Sequence, residues 1–319
     1  MLDNLNKKVL LIGAGQMAVD YCNILKAMQC QITVVGRGEK SALAFAEKTG
    51  IKVISGGLET FLINNTDKYD AVIIAVGVEQ LSNTAIQLID HGFNYILIEK
   101  PAGLNEEEIS KLGSKASQKN AQVLLAYNRR TYASVLKAKE IIEQDGGVTS
   151  FNFEFTEWAH TIEPLEKKPG VKENWLLANS THVIDLAFYL GGKPEKINCY
   201  TAGKLSWHDK AIFSGAGKTS AEVLFSYQAN WNAPGRWGVE ILTNKSRLIL
   251  KPMEELQIQL KGSVAINKIE IDDSLDKQFK PGLFQQTHNF LNKQISEFIT
   301  VEEQVKMVRV YSMIAKGNI

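Results

Sequence analysis

The chain predicts an α/β protein: an N-terminal doubly wound parallel sheet, then an α+β domain built on an open, largely antiparallel sheet. Three observations lead there. The first hundred residues contain no proline and alternate short β-branched runs with longer amphipathic stretches, the mark of repeated βαβ units. After about residue 125 the strand candidates alternate polar with aromatic residues and follow one another without helices, as antiparallel strands do. Between the two patterns the apolar run Tyr95-Ile96-Leu97-Ile98 stops at Glu99-Lys100-Pro101. Two charges and a proline thus emerge at the carboxyl end of a strand, the edge where open α/β sheets bind ligands.

In chain order, strands are predicted over residues 9–12, 31–35, 52–54, 71–76, 95–98 and 122–125, with helices over 17–28, 40–49, 79–91 and 106–119. Each strand run is short and apolar on both faces, as helices on both sides require. A helix over 133–144 ends at Gly146-Gly147, and further strands are predicted over 150–158, 196–201, 220–231, 237–243, 246–250 and 256–260. Residues 285–316 have helical periodicity and are expected to pack back on the first domain. The domains are set at 1–125, for dinucleotide binding, and 126–319, for substrate binding and oligomerisation.

Composition narrows the function classes. At 319 residues and 45% hydrophobic, the chain can bury a sizeable core. Its 36 basic and 35 acidic residues are well mixed, so no footprint for nucleic acid stands out. The start, residues 1–8, lacks the apolar core of a signal peptide, and no apolar run approaches the roughly 20 residues of a membrane span. A cytoplasmic protein is expected, with no membrane partner. Cys22, Cys30 and Cys199 form no Cys-x-x-Cys or Cys/His cluster, which fits reduced thiols and predicts no metal site.

Gly13-x-Gly15-x-x-Ala18 follows a strand and opens a helix, the setting in which glycines let a pyrophosphate approach backbone N–H groups. Gln16 and Met17, at the helix start, join Gly13 and Gly15 as candidate cofactor contacts. A tight turn needing glycine for shape alone is the alternative. The second strand ends in Val35-Gly36-Arg37-Gly38-Glu39-Lys40-Ser41, without the acidic residue at the strand end that grips the ribose hydroxyls of NAD. Arg37, helped by Lys40 and Ser41, suits a 2′-phosphate, so NADP is favoured over NAD. The opposing reading has Arg37 solvated while Glu39 reaches the ribose.

The glycine loop, Glu99-Lys100-Pro101, and the stretch from Trp175 through Asn179-Ser180-Thr181-His182 to Asp185 together resemble the Gfo/Idh/MocA oxidoreductases. The resemblance spans nearly the whole chain, including the run ending at Val76 and Tyr127-Asn128-Arg129-Arg130. It implies a Rossmann-type first domain and NAD(P)-dependent hydride transfer at a hydroxyl or carbonyl carbon of a sugar, nucleotide-sugar or cyclitol. Lys100 would hold the substrate oxygen and His182 would trade the proton. Val76, Glu99, Lys100 and Trp175 would also lie against the cofactor, with Asn128 and Asn179 toward the substrate. Within the same architecture a reductase of the biliverdin-reductase type is the rival, and a non-catalytic dinucleotide sensor is the alternative from another class.

One departure stands out. Many members carry an aspartate four residues before the histidine, where this chain has Ala178, so the motif lacks its carboxylate. Asn179 offers a hydrogen bond there but cannot take a proton. On the bottom-up reading His182 sits just inside a helix opened by Asn179 or Ser180, with Asp185 available to a ring nitrogen or as a cap. A structural histidine on a core-facing helix is the competing view.

All five tryptophans lie in the second half. Most are read as core, with Trp158 and His160, at the end of the first strand of that domain, as substrate-contact candidates. Residues 161–174 are read as a lid or a solvated connector. Ser214-Gly215-Ala216-Gly217-Lys218-Thr219 imitates a phosphate loop, but Ile212 stands where the first glycine belongs, and a glycine-rich hairpin or loop is expected. Phe151, Phe153, Phe155, Phe225 and Tyr227 alternate along two strands. Read as an uncovered apolar face, they predict a homodimer or homotetramer.

Overall fold

The computed structural model describes residues 5–317, so the reading of residues 1–4 lies outside the described residues. The chain divides into two compact units, the first running to Tyr127 and resuming over Gln278–Lys306, the second holding Asn128–Lys277 and the residues from Met307. Where one cut was expected near residue 125, the chain passes between units three times.

In the first unit, β1 (Lys8–Ile12), α1 (Gln16–Ala27), β2 (Gln31–Val35), α2 (Glu39–Thr49), β3 (Val53–Ile54), α3 (Gly57–Asn64), β4 (Ala71–Ile74), α4 (Leu81–Asp90), β5 (Tyr95–Glu99), α5 (Glu106–Lys119) and β6 (Gln122–Ala126) alternate. The strands pair in parallel in the order β6-β5-β4-β1-β2-β3. Val9 to Leu11, Val72 to Ile74 and Ile96 to Ile98 are almost fully buried, as their two-faced apolarity requires. At α5, Asn105 caps the Glu108 N–H at 3.0 Å and three glutamates in the first turn favour the helix dipole. The helix α3, absent from the sequence reading, is short and starts at Gly56-Gly57, both at positive φ.

The second unit opens with α6 (Ala133–Gln144), β7 (Ser150–Glu154), the short α7 (Ala159–Ile162) and α8 (Thr181–Gly191). Then come β8 (Pro194–Ala202), β9 (Ile212–Thr219), β10 (Leu224–Asn230), β11 (Gly238–Leu242), β12 (Ser246–Leu250), β13 (Gln257–Leu260), β14 (Ile266–Lys268) and α9 (Ser274–Gln278). Its eight-stranded sheet has the order β14-β13-β12-β11-β7-β10-β9-β8 and is antiparallel except where β7 meets β10.

Two expectations change here. Residues 214–219 lie in β9, the first arm of a hairpin with β10, so the hairpin reading holds and the loop reading does not, and the single strand expected over 220–231 is β10 alone after a turn. The glycines are there because aromatic rings cross them: a Cβ at Gly215 would meet the Tyr227 ring at 2.5 Å, and one at Gly217 would meet Phe225 at 2.7 Å. The phenylalanine row is also not an open face. Phe188 of α8 packs on Phe151, Phe153 and Phe225 at 5.1–6.0 Å, so these rings form the core between helix and sheet. Each such ring stabilises the unit by about 1.5–3 kcal/mol on burial. These rings therefore leave no exposed aromatic face for a partner to cover.

The chain then returns to the first unit as α10 (Leu283–Leu291) and β15 (Ile299–Thr300), which adds to β6 in antiparallel register, before α11 (Val301–Lys316). A Cβ at Gly113 would meet Val305 at 2.8 Å, so α5 and the first turns of α11 approach closely.

Candidate functional site

In the first unit, register decides what shares an edge. Ile12 pairs with Val35 and with Ile74, and Ile74 with Ile98. Gly13, Gly36-Arg37, Ala75-Val76 and Glu99-Lys100 therefore all emerge at the carboxyl edge of the sheet. Gly13 has φ +122°, and a Cβ there would lie 2.3 Å from the Ala75 carbonyl oxygen, so only glycine fits. A Cβ at Gly15 would meet nothing within 4 Å: the amino end of α1 opens onto free space. That end carries no acidic residue in its first turn and no side-chain cap, which leaves its N–H groups and dipole available to an anion.

Around this loop, Gln16 donates to Asp20 at 2.9 Å and accepts from Lys48 at 3.1 Å, while Met17 Sδ accepts from Lys280 at 2.7 Å. Arg37, Lys40 and Ser41 are exposed beyond β2, the Ser41 hydroxyl donating to the Gly38 carbonyl at 2.9 Å. Glu99 accepts from the buried Tyr21 hydroxyl at 2.9 Å; burial first, then the Glu99 charge, holds that phenol well above its usual pKa. On the other flank of Lys100, Gln304 Nε2 donates to the Pro101 carbonyl and to the Tyr127 hydroxyl, each at 3.2 Å. The ledge bearing Lys100 is thus braced on both sides.

In the second unit, the helix carrying His182 begins earlier than expected. Trp175 is already helical, residues Leu176–Ser180 form a π-helical turn, and α8 continues from it. Such turns are rare and concentrate at functional sites. Asn179 and Ser180 accordingly do not open or cap a helix. Their side chains donate to one oxygen of Glu157, Asn179 Nδ2 at 3.0 Å and Ser180 Oγ at 2.7 Å. Glu157 is only 2% exposed, so a buried carboxylate anchors the turn just before His182.

Asp185 was expected near a histidine nitrogen or at a cap. Both its oxygens are engaged by Arg130, at 2.8 and 2.6 Å, a bidentate pair buried in the unit. His182 is half-buried, with its ring 6.2 Å from that of Trp237. Trp175 is buried edge-on against Trp207 at 6.1 Å. Trp158 and His160 do not end a strand: β7 stops at Glu154, Trp158 precedes α7, and His160 lies exposed on that short helix. Trp158 is 45% exposed and donates to the Gly235 carbonyl at 2.8 Å. Asn128 is buried in a 3-10 turn, its carbonyl accepting from Thr131 at 2.9 Å.

Sequence reasoning passed over Glu157, and the signal was parity. Phe151, Phe153, Phe155 and Glu157 share the inward phase of one extended run, and a charge in that phase needs polar partners. Among the described residues no group of three or more His, Cys, Asp or Glu side chains is placed to hold a metal ion, and no helix is long and apolar enough to cross a membrane.

Residues 7–127 match the model of an oxidoreductase family, NAD-binding Rossmann fold, under the name GFO_IDH_MocA. Among solved structures, UDP-N-acetylglucosamine 3-dehydrogenase GnnA from Acidithiobacillus ferrooxidans is 14% identical, covers 97% of this chain and 97% of its own, and has a TM-score of 0.74. Levoglucosan dehydrogenase in complex with NADH and levoglucosan is 19% identical over 97% and 96% of the two chains, with a TM-score of 0.78. An NAD binding oxidoreductase from Klebsiella pneumoniae is 15% identical over 97% and 96%, with a TM-score of 0.77. At these identities the likeness establishes the fold. Compared by sequence with curated proteins, the chain has no match.

Proposed function

We propose, from the match of residues 7–127 to the NAD-binding oxidoreductase family model, that this Gfo/Idh/MocA-like chain is an NAD(P)-dependent dehydrogenase or reductase acting on a sugar, nucleotide-sugar or cyclitol. The observation that carries the reading is the glycine loop: a Cβ at Gly13 would strike the Ala75 carbonyl at 2.3 Å, while Gly15 borders open space at an uncapped helix amino end. A pyrophosphate needs both properties. Gly13, Gly15 and the N–H groups at Gln16 and Met17 would hold it. Bound there, the nicotinamide cofactor supplies the hydride donor or acceptor.

Lys100, half-buried on a braced strand end, orients the substrate oxygen. His182, half-buried in the first turn of α8, gives or takes the substrate proton. Arg37, with Lys40 and Ser41, recognises a 2′-phosphate, so NADP is the preferred cofactor; all three are exposed beyond β2. The sugar class is supported by the folds of UDP-N-acetylglucosamine 3-dehydrogenase and levoglucosan dehydrogenase. The protein acts in the cytoplasm as a homodimer or homotetramer, the outer sheet face around Asn152, Tyr200 and Gln228 being open in the single chain.

The test is a fluorescence titration with NADPH and NADH, followed by nicotinamide absorbance against a panel of sugars, nucleotide-sugars and inositols. Binding with substrate-dependent absorbance change is expected. Binding by neither cofactor overturns the proposal.

A further inference from the structure

Two arginines of the second unit, Arg129 and Arg236, gather at one tryptophan. Trp237 is buried, and its ring centroid lies 4.8 Å from the Arg129 guanidinium and 5.0 Å from that of Arg236. Arg236 also stacks on Trp158 at 4.8 Å, and Arg129 lies 5.8 Å from the Tyr132 ring. In the same unit Arg130 and Arg247 each close on a carboxylate, of Asp185 and Glu240. Among the described residues neither Arg129 nor Arg236 makes such a pair, and Arg129 Nε is buried with no hydrogen-bond partner.

Stacking accounts for where the guanidiniums lie but not for what their N–H groups do. A cation against an indole uses the ring face only and leaves its five in-plane donors unspent. The two cations also repel. Burial is the chief cause that lowers the Arg129 pKa from its ordinary value, and Arg236 adds to it, while Tyr132, Glu254 and Glu157 pull it back. Two guanidinium forks held within 5.0 Å of one indole ring supply the donors that a planar or tetrahedral oxyanion needs.

We propose that the substrate carries an oxyanion, a carboxylate or a phosphate ester on its sugar, gripped by Arg129 and Arg236 beside Trp237. The inference rests on the reading that the second unit takes a sugar-like substrate. His182, with its ring 6.2 Å from the Trp237 ring, places the grip beside the proposed proton-exchanging group. The anion is therefore a substituent of the reacting molecule. The exposed part of Trp158 offers an apolar face to the ring that bears it.

The experiment is calorimetric binding of D-glucuronate, D-glucose 6-phosphate and D-glucose to the full chain without cofactor, in wild type and in Arg129→Lys, Arg236→Gln and the double variant. One of the two anionic probes is expected to bind at least ten-fold tighter than glucose, and the better arm identifies carboxylate or phosphate. Arg236→Gln, at an exposed position, removes most of that margin, and Arg129→Lys, which keeps charge but loses the fork, reduces it. Equal binding of neutral and anionic probes, no binding of either anion, or a preference that survives in the double variant overturns the proposal. Cofactor titration of the same samples is read separately: its failure counts against the oxidoreductase reading alone, because the anion measurement uses no cofactor.

Discussion

Arg130 holds both carboxylate oxygens of Asp185, Nε at 2.8 Å from one and an Nη at 2.6 Å from the other. The pair ties the turn after β6 to the helix of His182, with Asp185 only 2% exposed. Breaking one half leaves a buried charge alone, which costs about 3–5 kcal/mol. Asp185→Asn should therefore lower stability by roughly that amount in chemical denaturation, while Arg130→Met with Asp185→Leu recovers much of it. A single variant as stable as wild type would show that the pair holds nothing in place.

Gly13→Ala combines a positive φ with a steric collision at the Ala75 carbonyl. A loss of about 1–3 kcal/mol is expected from strain and overpacking, together with loss of nicotinamide binding. Unchanged cofactor affinity would remove the loop from the cofactor site.

Arg37→Asp should weaken NADPH far more than NADH. A charge-assisted contact is worth about 1.5–3 kcal/mol, or roughly ten- to hundred-fold in affinity. Parallel fluorescence titrations check it, and equal loss of both cofactors speaks against a 2′-phosphate contact.

Glu157→Leu leaves the Asn179 amide and the Ser180 hydroxyl without their acceptor, at a cost of about 1–3 kcal/mol per buried donor. Glu157→Gln keeps an acceptor oxygen and should unfold near the wild-type temperature. Thermal unfolding of both separates loss of the acceptor from loss of the charge.

Burial pushes the Tyr95 hydroxyl, which donates to the Phe290 carbonyl at 2.6 Å, up from 10.0 to about 12. A group with a raised pKa in the folded state binds more protons there, so its stabilisation is complete below pH 10 and is lost as pH rises toward 12. Stability measured across that window should fall more steeply in wild type than in Tyr95→Phe. Parallel slopes would contradict the assignment.

The first unit was largely legible because one periodicity dominates it: β1, β2 and β5 lie within a residue of the runs read from sequence. The glycine loop was legible for the same reason, since its meaning depends on local order alone. Strand β9 was not, because Gly215 and Gly217 look like loop residues until Tyr227 and Phe225 of the neighbouring strand are laid over them. The phenylalanine row was visible, but which face it lined depended on Phe188, some 30 residues further on. Glu157 and Arg236 belong to no motif, and Arg129, though inside Tyr127-Asn128-Arg129-Arg130, gives no sign there of its place beside Trp237. Their roles arise only when strands and turns distant in sequence meet.

The π turn before His182 also changes how relatives should be compared with this chain. Residues on one face of an α-helix recur at three and four positions, but a π turn closes at five and shifts everything beyond it by about 100°. Counting back four from His182 to Ala178 therefore crosses a break in phase. A carboxylate sought at a fixed offset is missed, while Glu157 reaches Asn179 and Ser180 from the segment after β7. Superposed side-chain positions, not aligned columns, are the proper measure of whether another protein shares this centre.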